Sequence, residues 1–425
     1  MSIAKLHQIF LEFPVVCTDT RKITENCIFF ALKGENFNGN DYAEAALKKG
    51  ASYAVVDEDK YAGVQNILVV DDVLTTLQML ANYHRKQCDA KIIALTGSNG
   101  KTTTKELINA VLSQKYKTVA TIGNLNNHIG VPLTLLSIKR ETEIAIIEMG
   151  ANHLKEIEFL CSLAEPDYGY ITNFGKAHLE GFGGVEGVIK GKSELYEYLT
   201  KHKAIIFINA DDPIQLEKTG TYIKKYGFTQ GKKEFYKIEF IKASPYVSLQ
   251  FEDTTVQSNL IGSYNFTNCC AAILMGKYFN VPANLIKEAI ESYVPQNNRS
   301  QIIEKNSRQI ILDAYNANPS SMKVALENFS NLEGGPKIAF LGDMFELGSS
   351  APDEHQKIAD LSAQLNIQKV VLLGENFIKT NSSVTKFKNF EDIARNFKDI
   401  ELPTTGKILI KGSRGMALER LLDLL

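Results

Sequence analysis

One stretch constrains this chain more than any other: Ile92–Leu107, IIALTGSNGKTTTKEL. Its first four residues, Ile92, Ile93, Ala94 and Leu95, form the short apolar run of a buried strand. Leu107, Ile108, Val111 and Leu112 then recur at helical spacing. Between these runs Gly97 and Gly100 let the backbone turn sharply and point N–H groups inward, the arrangement that cradles phosphate. Lys101 brings a point charge to the β- and γ-phosphates and Thr102 a hydroxyl to Mg²⁺, while the helix aims its positive N-terminus at the same anion. Gly97, Ser98, Asn99, Gly100, Lys101, Thr102 and Thr103 are therefore the expected contacts to a nucleotide. The strict phosphate-loop pattern wants a small residue where Leu95 stands, so the competing reading is a glycine turn with a surface lysine. Strand, loop, Lys-Thr pair and helix in that order favour nucleotide binding.

A chain of 425 residues exceeds what one core holds, and three units fit best. The formal charge of −2 with interspersed signs argues against a dedicated nucleic-acid protein, so acidic partners should be small, such as nucleotides. Cys17, Cys27, Cys88, Cys161, Cys269 and Cys270 lack C-x-x-C spacing and read as buried thiols of a reducing compartment. No N-terminal apolar leader and no run of about eighteen apolar residues is present, so a soluble, cytoplasmic protein without membrane insertion is expected.

The expected fold class is α/β in three domains. Residues 1–88 form a small N-terminal α/β unit with strands near Cys27–Ala31, Tyr53–Val56 and Asn66–Val70. A helix at Asp71–Cys88 leads out of it. Residues 89–295 form a central mononucleotide-binding unit. In it, apolar runs at Ile92–Leu95, Thr118–Ala120, Ile144–Ile147, Tyr168–Ile171 and Ala204–Ile208 alternate with amphipathic helices, which implies a mostly parallel sheet. A polar break, Pro295-Gln296-Asn297-Asn298, opens a third, Rossmann-like unit over 296–425, with strands at Gln309–Leu312, Lys337–Leu341, Lys369–Leu373 and Lys407–Ile410. Polar residues follow the strands at once, where ligands sit in open α/β sheets.

Several constellations carry chemistry. Glu148, just past an apolar strand beside the phosphate loop, suits Mg²⁺ or its waters better than a free surface carboxylate. His178 lies in a Gly-flanked loop after another strand, and spacing alone leaves it undecided. Asn124, Asn126 and Asn127 crowd one turn, which suits a sugar or peptide ligand as well as it suits turn capping. In Thr18–Ile23, TDTRKI, a surface turn with a solvated ion pair is the simpler reading. Lys190, Lys192 and Glu194 read by default as the solvated face of an amphipathic helix.

Taken together, TGSNGKTT, EMGANHLKEI, NFGKAHLEGFGG, GKSELYEYL, YNANPSSM, GDMFELG and KGSRGM resemble the ATP-dependent Mur ligases, over about Asp19 to Leu422. The resemblance implies an N-terminal domain for a UDP-sugar, a central ATPase and a C-terminal ligase domain. The most specific motifs, GNLNNHIGVPLTLL, YNANP and GDMFELG, imply UDP-MurNAc-tripeptide and D-Ala-D-Ala as substrates, ATP and Mg²⁺ as cofactors, and a monomer. By the same resemblance Thr20 and Arg21 hold the uridine end, and Asn124, Asn126 and Asn127 face the muramoyl-peptide. Lys101 and Thr102 handle ATP and Mg²⁺, and Glu148, His178 and a carbamylated Lys192 join Thr102 around the metal, with Glu194 close by. Lys101, Lys192, Glu148 and His178 are the implied catalytic set. Asn265 and Asn268 match contacts to the adenine end, Arg299 to the γ-phosphate and Asp313 to the ribose. Asn316, Asn318, Ser413 and Arg414 lie nearer the D-Ala-D-Ala side. The family's D-S-R is here Asp19-Thr20-Arg21, and its D-G-H is Asn38-Gly39-Asn40, which leaves the uridine pocket open in detail. The rivals are another Mur-type ligase or a folylpolyglutamate synthase. A diamino-acid-selecting D-N-P-R is absent, and no N-K-x-D marks a GTP switch.

Overall fold

The structure, a computed structural model, describes residues 1–296 and 298–425. Asn297, part of the polar break read after residue 295, lies outside the described residues. Three main sheets follow one another along the chain. The first is parallel, in the order β1 (Val15–Cys17), β2 (Cys27–Phe30), β5 (Tyr53–Val56) and β6 (Ile67–Val69). A hairpin of β3 (Lys33–Gly34) and β4 (Phe37–Asn38) projects from it. Helices α1 (Ile3–Glu12), α2 (Ala43–Lys48) and α3 (Val73–Gln87) belong to this part.

The second sheet holds nine strands. β7 (Lys91–Thr96) lies between β9 (Ile144–Glu148) and β10 (Tyr168–Ile171), with β8 (Thr118–Ala120) at one edge. The other wing continues through β11 (Ile205–Asn209), β12 (Lys225–Thr229), β13 (Tyr236–Lys242), β14 (Tyr246–Phe251) and β15 (Thr254–Ile261). β8 to β13 pair in parallel, but β14 and β15 pair antiparallel. The parallel sheet expected from the apolar runs is therefore extended by an antiparallel wing. Its helices are α4 (Lys101–Leu112), α5 (Gly130–Leu136), α6 (Glu156–Ala164), α7 (Leu179–Phe182), α8 (Val185–Lys201), α9 (Pro213–Thr219), α10 (Asn265–Tyr278) and α11 (Ala283–Ser292).

The third sheet runs β16 (Gln301–Lys305), β17 (Arg308–Asp313), β21 (Gly406–Lys411), β18 (Lys337–Gly342), β19 (Lys369–Leu373) and β20 (Thr385–Phe387). It is parallel except for β16, and α12 (Pro319–Asn331), α13 (Ala351–Gln364) and α14 (Phe390–Asn396) accompany it.

Burial explains the order. Ile92 to Leu95 are fully buried because β7 sits at mid-sheet with helices on both faces. Burying each large aliphatic there contributes roughly 1.5–3 kcal/mol. One apolar cluster runs from Leu6 and Phe10 through Leu80, Ala94, Val131 and Leu195 to Met322 and Leu341, so one face of each sheet shares a core. The opposite faces have cores of their own, around Leu107 and Cys270, around Ile338 and Leu421, and around Phe29 and Ala46. α3, read as a connector, is thus a packed element. Cys88 is half-buried, unlike the other five cysteines, and all six are free thiols. Among the described residues no helix is long and apolar enough to cross a membrane.

Candidate active site

The loop between β7 and α4 is shaped by its glycines. Gly97 has φ +137°, and a Cβ there would lie 2.0 Å from Thr172 Oγ1, so only glycine fits against the end of β10. Gly100, at φ +78°, caps α4, and a Cβ on it would meet the Asn268 amide at 2.7 Å. Asn268 in turn accepts from Thr104 Oγ1 at 3.0 Å and donates to Asn265 Oδ1 at 2.8 Å. The amides of Asn265 and Asn268 therefore brace the loop from α10. No side chain caps α4, which leaves its N-terminal N–H groups facing outward.

This loop forms one wall of a cavity of about 850 Å³. Ser98, Asn99, Gly100, Lys101, Thr102 and Thr103 line it, as do Asn124, Asn126, Asn127, Glu148 and His178. Asn265, Asn268, Arg299, Asp313, Asn316 and Asn318 line it as well. Residues scattered over some 220 positions, from Ser98 to Asn318, thus face one space.

Lys101 Nζ folds back to donate to the Gly97 carbonyl at 2.7 Å, and burial lowers its pKa. Thr102 Oγ1 and Glu148 Oε2 are buried oxygens with no hydrogen-bond partner. Glu148 is 1% exposed; its Oε1 accepts from Asn126 Nδ2 at 2.8 Å, and its Oε2 lies 3.9 Å from Lys105 Nζ. Lys105, a fully buried cation that spacing did not single out, also donates to the Gly123 carbonyl at 3.4 Å. Two partnerless buried oxygens beside an open phosphate loop suit a hard divalent cation that also takes phosphate oxygens. Among the described residues no three His, Cys, Asp or Glu side chains converge to hold a metal alone.

The remaining expected residues divide. His178 meets Glu346 rather than Glu148, and that contact is the main cause of a lowered Glu346 pKa. Asn127 Oδ1 accepts from the N–H groups of Ile129 and Gly130 and so caps the turn into α5. Asp313 forms a 2.5 Å ion pair with buried Lys411, which also reaches the Asn316 carbonyl at 3.4 Å. The Arg299 guanidinium stacks 3.6 Å from the centre of the Tyr315 ring. Asn318 caps α12 and donates to Asn99 Oδ1 at 2.7 Å, linking the third sheet's helix to the phosphate loop.

Lys192 corrects the expectation of a solvated face. It is 0% exposed, donates to the Ala151 carbonyl at 3.0 Å and lies 5.0 Å from the centre of the Phe182 ring. Burial, then the charge of Lys101, pushes its pKa well below that of a free lysine. Glu194 is also buried, and both its oxygens accept backbone N–H groups, from Lys155 at 2.6 Å and Glu158 at 3.0 Å. Only Lys190 of that trio is exposed.

Ser413 and Arg414 do not line the cavity. Ser413 is buried and accepts from the Phe345 N–H at 2.9 Å, while Arg414 pairs with Glu419 at the surface. Thr20 and Arg21 also stand apart from it, in the turn after β1; the Arg21 side chain is 87% exposed and pairs with Asp19, whose pKa falls to about 2.

Comparison with known proteins turns this geometry into an assignment. Residues 12–93 match the model "Mur ligase family, catalytic domain", 95–276 the "Mur ligase middle domain" and 298–414 the "Mur ligase, glutamate ligase domain". The UDP-N-acetylmuramoyl-tripeptide–D-alanyl-D-alanine ligase of Bacillus subtilis is 34% identical over 422 residues, covering 96% of this chain and 92% of that one. The chain belongs to the Mur ligase family. The Escherichia coli ligase of the same name is 32% identical to this Mur ligase, with 96% and 93% covered. Among solved structures, MurF of Acinetobacter baumannii superposes with a TM-score of 0.85 at 30% identity, covering 96% of this chain and 92% of that one. The MurF ligase of Thermotoga maritima, solved in complex with ADP, gives 0.85 at 26% identity, with 97% of both chains covered.

Sequence reading missed several lining groups of this Mur ligase, notably Asp212, Tyr264, Tyr315 and Lys411. Tyr315 and Lys411 stand inside motifs already noted, YNANPSSM and KGSRGM, and a strand-end position was the available signal. Asp212 likewise follows a strand, β11, whereas Tyr264 becomes visible only once α10 closes the cavity.

Proposed function

We propose that this Mur ligase joins D-Ala-D-Ala to UDP-MurNAc-tripeptide at the cost of ATP, forming ADP and phosphate. The single observation that carries the reading is the shared cavity, in which a phosphate loop, a carboxylate, an Asn-rich turn and the strand ends of the third sheet face one another. The names of the relatives support the choice of substrates. Residues 1–88 hold the UDP-sugar, with Thr20 and Arg21 toward uridine; 89–295 hold ATP; and 296–425 bring the dipeptide.

The chemistry follows from charge. A terminal carboxylate oxygen of the tripeptide attacks the γ-phosphorus, and ADP leaves. The dipeptide amine then attacks the acyl carbon, phosphate departs with one carboxylate oxygen, and the amine gives up a proton. Both first-step reactants are anions, so the barrier includes their mutual repulsion. Lys101 and the α4 N-terminus neutralise the triphosphate, and Arg299 lines the same cavity for the γ-phosphate. Asn265 and Asn268 take the adenine end and Asp313 the ribose, while Asn124, Asn127, Asn316 and Asn318 border the peptide substrates. Mg²⁺ would be held by Thr102 and Glu148, joined by His178 and by Lys192 as its carbamate; when bound it adds positive charge where the two anions meet. The third unit, docked on the phosphate loop through Asn318, screens the acyl phosphate from water.

Phosphate release is the test. Release is expected only when ATP, UDP-MurNAc-tripeptide and D-Ala-D-Ala are all present, and hydrolysis indifferent to both peptides would sink the proposal.

A further inference from the structure

Asn126 sits in the turn assigned to the peptide substrate, yet its side-chain amide is committed to Glu148. Its Nδ2 donates to Glu148 Oε1 at 2.8 Å. The backbone is built around that contact: the Asn126 carbonyl accepts from the Gly150 N–H at 2.8 Å, and a Cβ on Gly150 would press to 2.7 Å from Asn126 Oδ1. Thr121 Oγ1 accepts from the Glu148 N–H at 2.9 Å, so the carboxylate's own backbone is held as well. Lys105 joins the two ends of this arrangement, 3.9 Å from Glu148 Oε2 and 3.4 Å from the carbonyl of Gly123 at the start of the turn.

The consequence lies in what remains free. Glu148 Oε1 is occupied by a neutral donor, and Oε2 is buried without a hydrogen-bond partner. A carboxylate that must offer one oxygen in a fixed direction needs the other anchored, because rotation of the group would otherwise spread that oxygen over several directions. An amide anchors it without cancelling its charge, and such outer contacts commonly set affinity for a metal by tenfold or more. We infer that Asn126 is a positioning residue for Glu148, fixing which carboxylate oxygen meets the divalent cation, and is not a contact to the peptide. The inference rests on the proposed role of Glu148 at the cation.

The test uses Mn²⁺ as the probe, bound to the full-length protein with ADP and followed by the electron paramagnetic resonance of free Mn²⁺. Asn126→Ala and Asn126→Leu are compared with wild type and with Glu148→Gln; leucine keeps the branched shape of asparagine without its amide if the smaller residue unsettles the turn. About tenfold weaker Mn²⁺ binding in the Asn126 variants is expected, with the KM for UDP-MurNAc-tripeptide unchanged. Wild-type Mn²⁺ affinity in both variants, with a raised KM for the tripeptide and weakened Mn²⁺ in Glu148→Gln, overturns the inference alone. Wild-type Mn²⁺ affinity in Glu148→Gln removes the metal role of Glu148 and this inference with it.

Discussion

Lys192 is where a single side chain carries the most chemistry. A lysine buried against the Ala151 carbonyl, with Lys101 adding to the repulsion, is held toward its neutral amine. A neutral amine is the form that adds CO₂, and the carbamate so formed would place a negative charge beside the proposed Mg²⁺. Removal of bicarbonate should therefore slow turnover, and ¹³CO₂ should give a protein-bound carbamate resonance that Lys192→Ala lacks. That variant should lose activity and regain part of it with a short added carboxylate; full activity without rescue would leave Lys192 as a packed amine. Lys101→Ala should abolish turnover and leave the thermal melt nearly unchanged, because Lys101 Nζ bonds only carbonyls of its own loop. A lost cooperative transition would instead make that lysine structural. The phosphate loop was legible because glycine, lysine and threonine act there through backbone geometry and local order. Lys192 was misread because the solvated-face rule assumes a helix with one wet side, and α8 buries the six consecutive residues Gly191 to Tyr196.

At the scale of elements, α1 and α3 show how the first unit is fastened. Leu6 and Phe10 of α1 enter the shared core, and His7 Nε2 lies 3.1 Å from His84 Nδ1 of α3, whose Nε2 reaches the Ile138 carbonyl at 2.8 Å. With Nε2 donating to that carbonyl, His84 Nδ1 accepts the proton of His7, an arrangement that needs the His84 ring neutral. Burial lowers both pKa values in the folded protein below the 6.5 of a free histidine. The unfolded chain therefore binds protons first: the pair's contribution is complete above about pH 6.5 and is lost as pH falls below it. Melts from pH 8 to pH 5 should show this loss, and a His7→Phe, His84→Phe double variant should lack that part of it. An identical acid profile would refute the role of the pair. Phe10→Ala should cost about 3–5 kcal/mol by denaturant titration; a loss below 1 kcal/mol would mean that α1 is not anchored there. Central parallel strands were legible as unbroken apolar runs, since both faces are covered. The wing β13–β15 and the edge strand β16 were not, because polar side chains dilute the signal: lysines and glutamates in β13 and β16, and threonine, serine, glutamine and asparagine in β14 and β15.

Across the molecule, the third unit meets the central one at the catalytic wall itself. Asn318 bonds Asn99, Ser320 Oγ accepts from the Lys176 N–H at 2.8 Å, Lys176 Nζ pairs with Glu354 at 2.9 Å, and Glu346 meets His178. Lys176 is partly exposed, so its ion pair should contribute only about 0–1 kcal/mol to stability. Lys176→Met should accordingly leave the melt almost unmoved but lower kcat several-fold, with the KM for ATP retained; unchanged kcat would show that this contact does not assist closure. None of these contacts was legible beforehand, because each joins residues at least 140 positions apart. Conversion of a peptide carboxylate into an acyl phosphate and then an amide in this one cavity is what the proposed function requires. It is tested most directly with UDP-MurNAc-tripeptide carrying ¹⁸O in its terminal carboxylate, by mass analysis of the phosphate released during turnover with D-Ala-D-Ala. One ¹⁸O atom in each phosphate from a fully labelled carboxylate is the expected result, and phosphate free of ¹⁸O would contradict it.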